Sequence, residues 1–403
     1  MLSDVKVLEL SAPQTMLAGS ILADLGAEVI ALEPPGGAAG RRLAPFAGGE
    51  PGLERSLTWH ALNRSKRGVT LDVAAPDGRE ILQALVERAD IVIEACDRGS
   101  ALDGLRRPDD LIVCRATAFS PGGPKAAYRA TDAVVVAAGG VPALAGPADR
   151  PPLFFPSPQA MMETGAECAV AALAALAARD RLEGGQTAHV SGRIATLPAA
   201  LGRLVSGRSG NPASRRQSAP PPGPLPAIPG VYECADGHAI VTVAFTPAFV
   251  AMTQRIAEWL ADEGLLAREV AGLDLLATMR AVMAGEAGAG PIERFRDALI
   301  AGCRRKTKRQ LTEIAAERRF MAAPVMTMAD IAAFEHYHAR GLFVPQEVAG
   351  RSVEVPARFA QFSDYQIEVR RPAPALSQHT GEVLGELGYS RLEIQALFAQ
   401  GII

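Results

Sequence analysis

The 403-residue sequence predicts an α/β protein, a Rossmann-like, doubly wound parallel sheet accompanied by a smaller α+β domain. Three observations carry that expectation. Short β-branched runs alternate with helical patterns through the first third of the chain, and a Ser/Arg/Pro-rich stretch breaks the pattern near the middle. Hydrophobic residues make up 48% and aromatics only 5%, so the interior is assembled from Ala, Val, Leu and Ile, as helices on parallel strands require.

The elements follow in order. VKVLEL at 5–10 reads as a strand, MLAGSILADLG as a helix from Met16, and EVIALE at 28–33 as the next strand. The helix DGREILQALVERA leads to the strand DIVIEA at 90–95, and LIVCRA at 111–116 supplies another. Helices between strands at this spacing mean right-handed parallel crossovers. The run CAVAALAALAA at 168–178 has 11 residues, short of the roughly 20 that a membrane span needs, and is read as a buried helix. SGRSGNPASRRQSAPPPGPLPAIPG reads as a linker or loop. Beyond it, GVYECADGHAIVTVAF reads as a hairpin turning at Asp236-Gly237, with helical patterns after it. HTGEVLGELGYSRLEIQALFAQGII closes the chain with two short amphipathic helices. The expected divisions are a large domain at 1–200, a Pro/Ser-rich linker at 201–228, a small α+β domain at 229–322, and a second linker with a return to the large domain at 323–403.

A net charge of −3 and a pI near 6.1 create no field for nucleic acid or an anionic membrane, so neither is expected as a partner. Five scattered cysteines without a CxxC pair point to reduced thiols and a cytoplasmic protein. MLSDVKVLEL enters a strand directly, with no secretory pattern.

Several chemistries drop out. Neither GxxxxGK[ST] nor GxSxG occurs, and GxGxxG is absent after the first strand. His336 and His338 lack companions that complete a metal site, so no metal is expected. RRKTKRQ at 304–310 reads as the solvated face of a helix. Arg64, Lys66 and Arg67 in NRSKRGVTLD stand beside a strand of the nucleotide-fold half and are taken as phosphate candidates.

Five segments in order carry a resemblance: VLELSAPQTMLAGSILADLGAEVIALEPPGG, NRSKRGVTLDVAAPDGREILQALVERADIVIE, ALAALAARDRLEGGQTAHVS, PGVYECADGHAIVTV and HTGEVLGELGYSRLEIQALFAQGI. Together they resemble the class III CoA-transferase family over nearly the whole chain. The resemblance implies a large domain built from both chain ends, two linkers, a small domain and an interlocked dimer. It also implies CoA transfer from an acyl-CoA to a carboxylic acid, with both as substrates and no tightly bound cofactor. In such enzymes an aspartate attacks the thioester to form a mixed anhydride, and the CoA thiolate then returns to give an enzyme-bound thioester.

The position that matches this aspartate is Met161, whose thioether cannot be acylated. Glu163 is the acid nearest the start of that helix, about 200° around the axis from position 161. Three readings stay open: Glu163 takes the role, the chain is the non-catalytic subunit of a heteromeric transferase, or the site performs a racemase- or lyase-type reaction on an acyl-CoA. By the same resemblance Gln14 approaches the thioester, and Arg41, Arg129 and Asp132 join the CoA-binding set. Pro34, Ala95-Cys96 and Asp103 depart from the family's CoA contacts, and the prolines of SAPPPGPLPAIPG stand near its glycine-rich loop. The partner is then a second copy or a related catalytic subunit.

Overall fold

Side-chain alternation decides how the main sheet is clothed. The computed structural model describes residues 1–96, 99–210 and 223–403. In it β1 (Lys6–Leu10), β2 (Glu28–Glu33), β3 (Arg67–Thr70), β4 (Ile91–Ala95), β5 (Ile112–Thr117) and β6 (Thr187–Ser191) form one parallel sheet in the order β3-β2-β1-β4-β5-β6. Because successive strand residues face opposite ways, Val7, Ile91, Ile93, Ile112 and Cys114 join one buried layer while Leu8, Val92 and Val113 join the other. The first layer is covered by α1 (Met16–Asp24) and, later in the chain, by α5 (Gln159–Ala178) through Cys168, Ala169 and Ala172. Ile81, Leu82 and Leu85 of α3 (Pro76–Glu87) cover the second, together with Val383 and Leu384 of the C-terminal helix Thr380–Glu386. The strand order reverses between β1 and β4, which opens a crevice at the carboxyl ends of the strands.

One compact unit takes in Met1–Arg216 and His336–Ile403, and the other takes in Gln217–Glu335. The first also holds α2 (Leu57–Leu62) and α4 (Asp132–Gly139). In the second unit β7 (Val231–Cys234), β8 (Gly237–Val241) and β9 (Ala322–Val325) form an antiparallel sheet, with Ile256, Trp259, Leu260, Phe295 and Phe320 in the core beside it. A hairpin of β10 (Phe343–Val348) and β11 (Arg351–Pro356) belongs to the first unit.

Three expectations need adjustment. Cys234 pairs with Gly237, so the turn of the β7–β8 hairpin is Ala235-Asp236, one residue earlier than expected. Leu201–Arg208, expected to be linker, is helical, and residues 211–222 of that stretch and of the proline-rich loop lie outside the described residues. The 11-residue alanine-rich run lies in a 20-residue helix, Gln159–Ala178, long and apolar enough to cross a membrane by length and composition. Its small side chains instead pack on the sheet. The basic run 304–310 is tied to carboxylates: Arg304 to Glu233 at 3.0 Å, Lys306 to Glu263 at 2.8 Å, Lys308 to Asp330, and Arg309 to Glu313 at 2.8 Å.

Candidate active site

A cavity of about 220 Å³ lies beside the carboxyl ends of the strands, lined by Pro13 and Gln14 after β1, Thr117 and Ala118 at the end of β5, and Gly192 after β6. Thr131 and Asp132 at the start of α4, and Ala160, Met161 and Thr164 in the first turns of α5, complete much of its wall. The approach of α5 to this corner depends on Gly165. A Cβ there would stand 2.9 Å from Cβ of Leu17 and 3.4 Å from the carbonyl oxygen of Gln14.

The start of α5 has no side-chain cap of its own, since Pro158 precedes it. Its first-turn amides would be left without intrahelical partners. The N–H of Met161 donates to Oδ1 of Asp132 at 2.7 Å, so a carboxylate from α4 closes the first turn of α5. The Met161 side chain is 4% exposed and packs with Met16, Ala38, Trp59 and Leu62. Met162 faces a different cavity, and Glu163 lines neither of these two. Burial, and then the negative charge of Asp132, push the Glu163 carboxyl above its usual range, and its buried Oε2 has no protein partner.

Of the expected site residues, Gln14 and Asp132 come together at the cavity with Met161. Arg129 is exposed at the rim of the α4 start, outside the lining. Thr117 was not anticipated; its Oγ1 is buried with no protein partner. The one available signal was its place at the carboxyl end of a predicted strand.

The basic residues expected on phosphate or CoA at positions 41, 64, 66 and 67 are each engaged by carboxylates of the protein itself. Lys66 is fully buried, and its ammonium donates to Glu9 Oε2 at 2.6 Å, the Met16 carbonyl at 2.9 Å and Asn63 Oδ1 at 2.9 Å, which uses all three protons. Burial pulls its pKa below the usual lysine range, against the attraction of Glu9. Arg41, also fully buried, grips Glu33 with two bonds at 2.7 and 2.8 Å, reaches the Pro374 carbonyl at 3.0 Å and lies over the Trp59 ring. Arg64 holds Asp24 at 2.6 Å, and Arg67 holds Glu28 and Glu386, each at 2.7 Å. The reason is geometric. Residues 64–67 stand at the amino end of β3, whereas ligands of parallel sheets bind outside the carboxyl ends.

Among the described residues no group of three or more His, Cys, Asp and Glu is placed to hold a metal. Cys114, Cys168, Cys234 and Cys303 are buried thiols outside any disulfide.

Residues 2–380 match the model of CoA-transferase family III. The chain is 28% identical to the succinyl-CoA:(R)-benzylsuccinate CoA-transferase subunit BbsE of Thauera aromatica, over 100% of this chain and 98% of that one. It is 27% identical to the succinate–glutarate CoA-transferase of Agrobacterium fabrum, over 96% and 95%. Among solved structures, a CAIB/BAIF family protein from Brucella suis superposes with a TM-score of 0.76 and 26% identity, over 95% of this chain and 98% of that one.

Proposed function

The chain belongs to CoA-transferase family III, and from that membership we propose that it serves transfer of CoA between an acyl-CoA and a carboxylic acid as the subunit that lacks the acyl-accepting carboxylate. The observation that carries this reading is the side chain at position 161, a thioether packed against Met16 and Trp59 on the wall of the strand-end cavity. In the transfer a carboxylate oxygen bonds to the thioester carbon, the C–S bond breaks and CoA leaves as a thiolate; the thiolate then attacks the mixed anhydride and expels a carboxylate. Sulfur in a thioether, already carrying two carbons, cannot form or release such an anhydride.

Gln14 and the unpartnered hydroxyl of Thr117 remain as hydrogen-bonding groups for a thioester in the cavity. A related subunit bearing the aspartate is then the natural partner, which agrees with a similar protein being named a subunit. The buried thiols of Cys114, Cys168, Cys234 and Cys303 suit a reducing, cytoplasmic setting. No resident cofactor is required, CoA and its thioester being substrates.

The test is intact-protein mass spectrometry of the chain alone after incubation with succinyl-CoA. The expected spectrum is that of the unmodified protein. An acyl or CoA adduct would overturn the reading. A second reading has its own support, because Asp132 is a carboxylate on the cavity wall whereas Glu163 is not. Under it an adduct forms and disappears in Asp132→Asn but survives in Glu163→Gln.

A further inference from the structure

A second cavity, of about 560 Å³, lies between α1, α2 and residues 353–359, and none of its lining residues lines the first. Leu17, Ile21, Leu57, Met162, Val355 and Phe359 make its wall largely apolar. Three buried polar residues interrupt that wall, Ser20, Asp24 and Arg64, which are 1%, 2% and 5% exposed, and the half-buried Thr58 and Arg358 and the exposed Glu354 join them. The buried three are only partly satisfied by the protein. Arg64 Nη2 donates to Asp24 Oδ2 at 2.6 Å and to the Ala357 carbonyl at 3.0 Å, but Asp24 Oδ1, Arg64 Nε and Ser20 Oγ have no protein partner.

Arg358 Nε is a fourth such atom on the same wall; buried polar atoms without partners are costly, and four together call for a molecule that meets them. Their chemistry specifies its head. Asp24 Oδ1 accepts, Arg64 Nε donates, and a hydroxyl does either. The Asp24 carboxylate and the Arg64 guanidinium neutralise each other, and Glu354 and Arg358 add one charge of each sign to the wall, so a charged head of either sign would face a like charge. The apolar wall specifies the body.

We propose that this cavity binds a small neutral molecule with an apolar body and a head that both donates and accepts hydrogen bonds, as an alcohol or a primary amide does. The site is independent of the thioester cavity and of the covalent step.

The proposal is tested by saturation-transfer NMR on the full chain with hexanamide, hexan-1-ol, hexanoate and hexylammonium. Hexanamide and hexanol bind, and both ions bind about tenfold more weakly or not at all, because burial magnifies an unmatched charge. Ile21→Trp fills the cavity and abolishes the signal, Met162→Trp does the same should the first variant fail to fold, and Ser20→Ala weakens it. Absence of binding by both neutral probes, equal binding of the ions, or a signal indifferent to both tryptophan variants overturns the proposal. So does sedimentation showing that either tryptophan variant splits a dimer while hexanamide leaves no signal, since a second copy would then occupy the space.

Discussion

Oδ1 of Asp132 accepts the N–H of Met161 at 2.7 Å, so that a carboxylate on one helix caps another helix that begins 27 residues later. The contact satisfies an amide that α5 cannot satisfy itself and places a negative charge at the positive end of a 20-residue helix. It also fixes the corner where Gln14, Thr117 and Met161 meet.

Removing that acceptor should be felt as the loss of a cap. Asp132→Ala is expected to cost about 1–2 kcal/mol in urea unfolding. Asp132→Asn keeps an amide oxygen in the same place and stays within about 0.5 kcal/mol of the parent.

Met161→Asp would put a carboxyl into a site 4% exposed, beside the one that already caps the helix. The expected loss is about 2–4 kcal/mol, from an unpaired buried charge and lost packing, and it is read as a lower urea midpoint. A variant of undiminished midpoint that becomes acylated by succinyl-CoA would mean that the thioether does no packing.

Local patterning made β1, β2, β4 and β5 readable, because each stands as a short apolar run between helical or turn signals. β6 is different: TAHVS is an edge strand with partly exposed positions, and nothing apolar announces it. At the site, helix phase already implied that Glu163 and Met161 face different ways, which their separate surroundings bear out. Asp132 meets Met161 across a sequence separation of 29 and Lys66 meets Glu9 across one of 57, so neither contact is local. A positive charge in a sequence does not say whether it faces a phosphate or a buried glutamate.

The Lys66–Glu9 pair gives that ambiguity a measurable form. Both side chains are fully buried and 2.6 Å apart, so Lys66→Ala strands a carboxylate and should cost about 3–5 kcal/mol. Lys66→Met combined with Glu9→Gln removes both charges and should regain most of that loss in urea unfolding. If Lys66→Ala instead left stability intact and weakened only CoA binding, the lysine would belong to the ligand after all.

Glu163 carries a pH signature of its own. Burial and Asp132 raise its folded pKa, so the folded chain holds this proton more tightly than the unfolded one, and stability from this group falls as pH rises through the raised value. Glu163→Gln removes the titration. Its melting temperature relative to the parent should therefore be higher at pH 7 than at pH 4, and a pH-independent difference would contradict the assignment.

Asp24 provides the sharper pH test, because its window is defined. Burial lifts its carboxyl from 3.8 to about 6, against the pull of Arg64, Lys66 and Arg370. Between those values the folded chain keeps a proton that the unfolded chain has released, so this group's contribution to stability is present at low pH and is lost as pH rises toward 6. Asp24→Asn cannot release a proton, and its amide still offers Arg64 an acceptor. The stability of the variant relative to the parent should accordingly climb between about pH 4 and pH 6, by on the order of 3 kcal/mol at most, and level off above. Urea midpoints at half-unit pH steps would trace that rise; a level difference through the window would mean that Arg64 holds Asp24 ionised throughout.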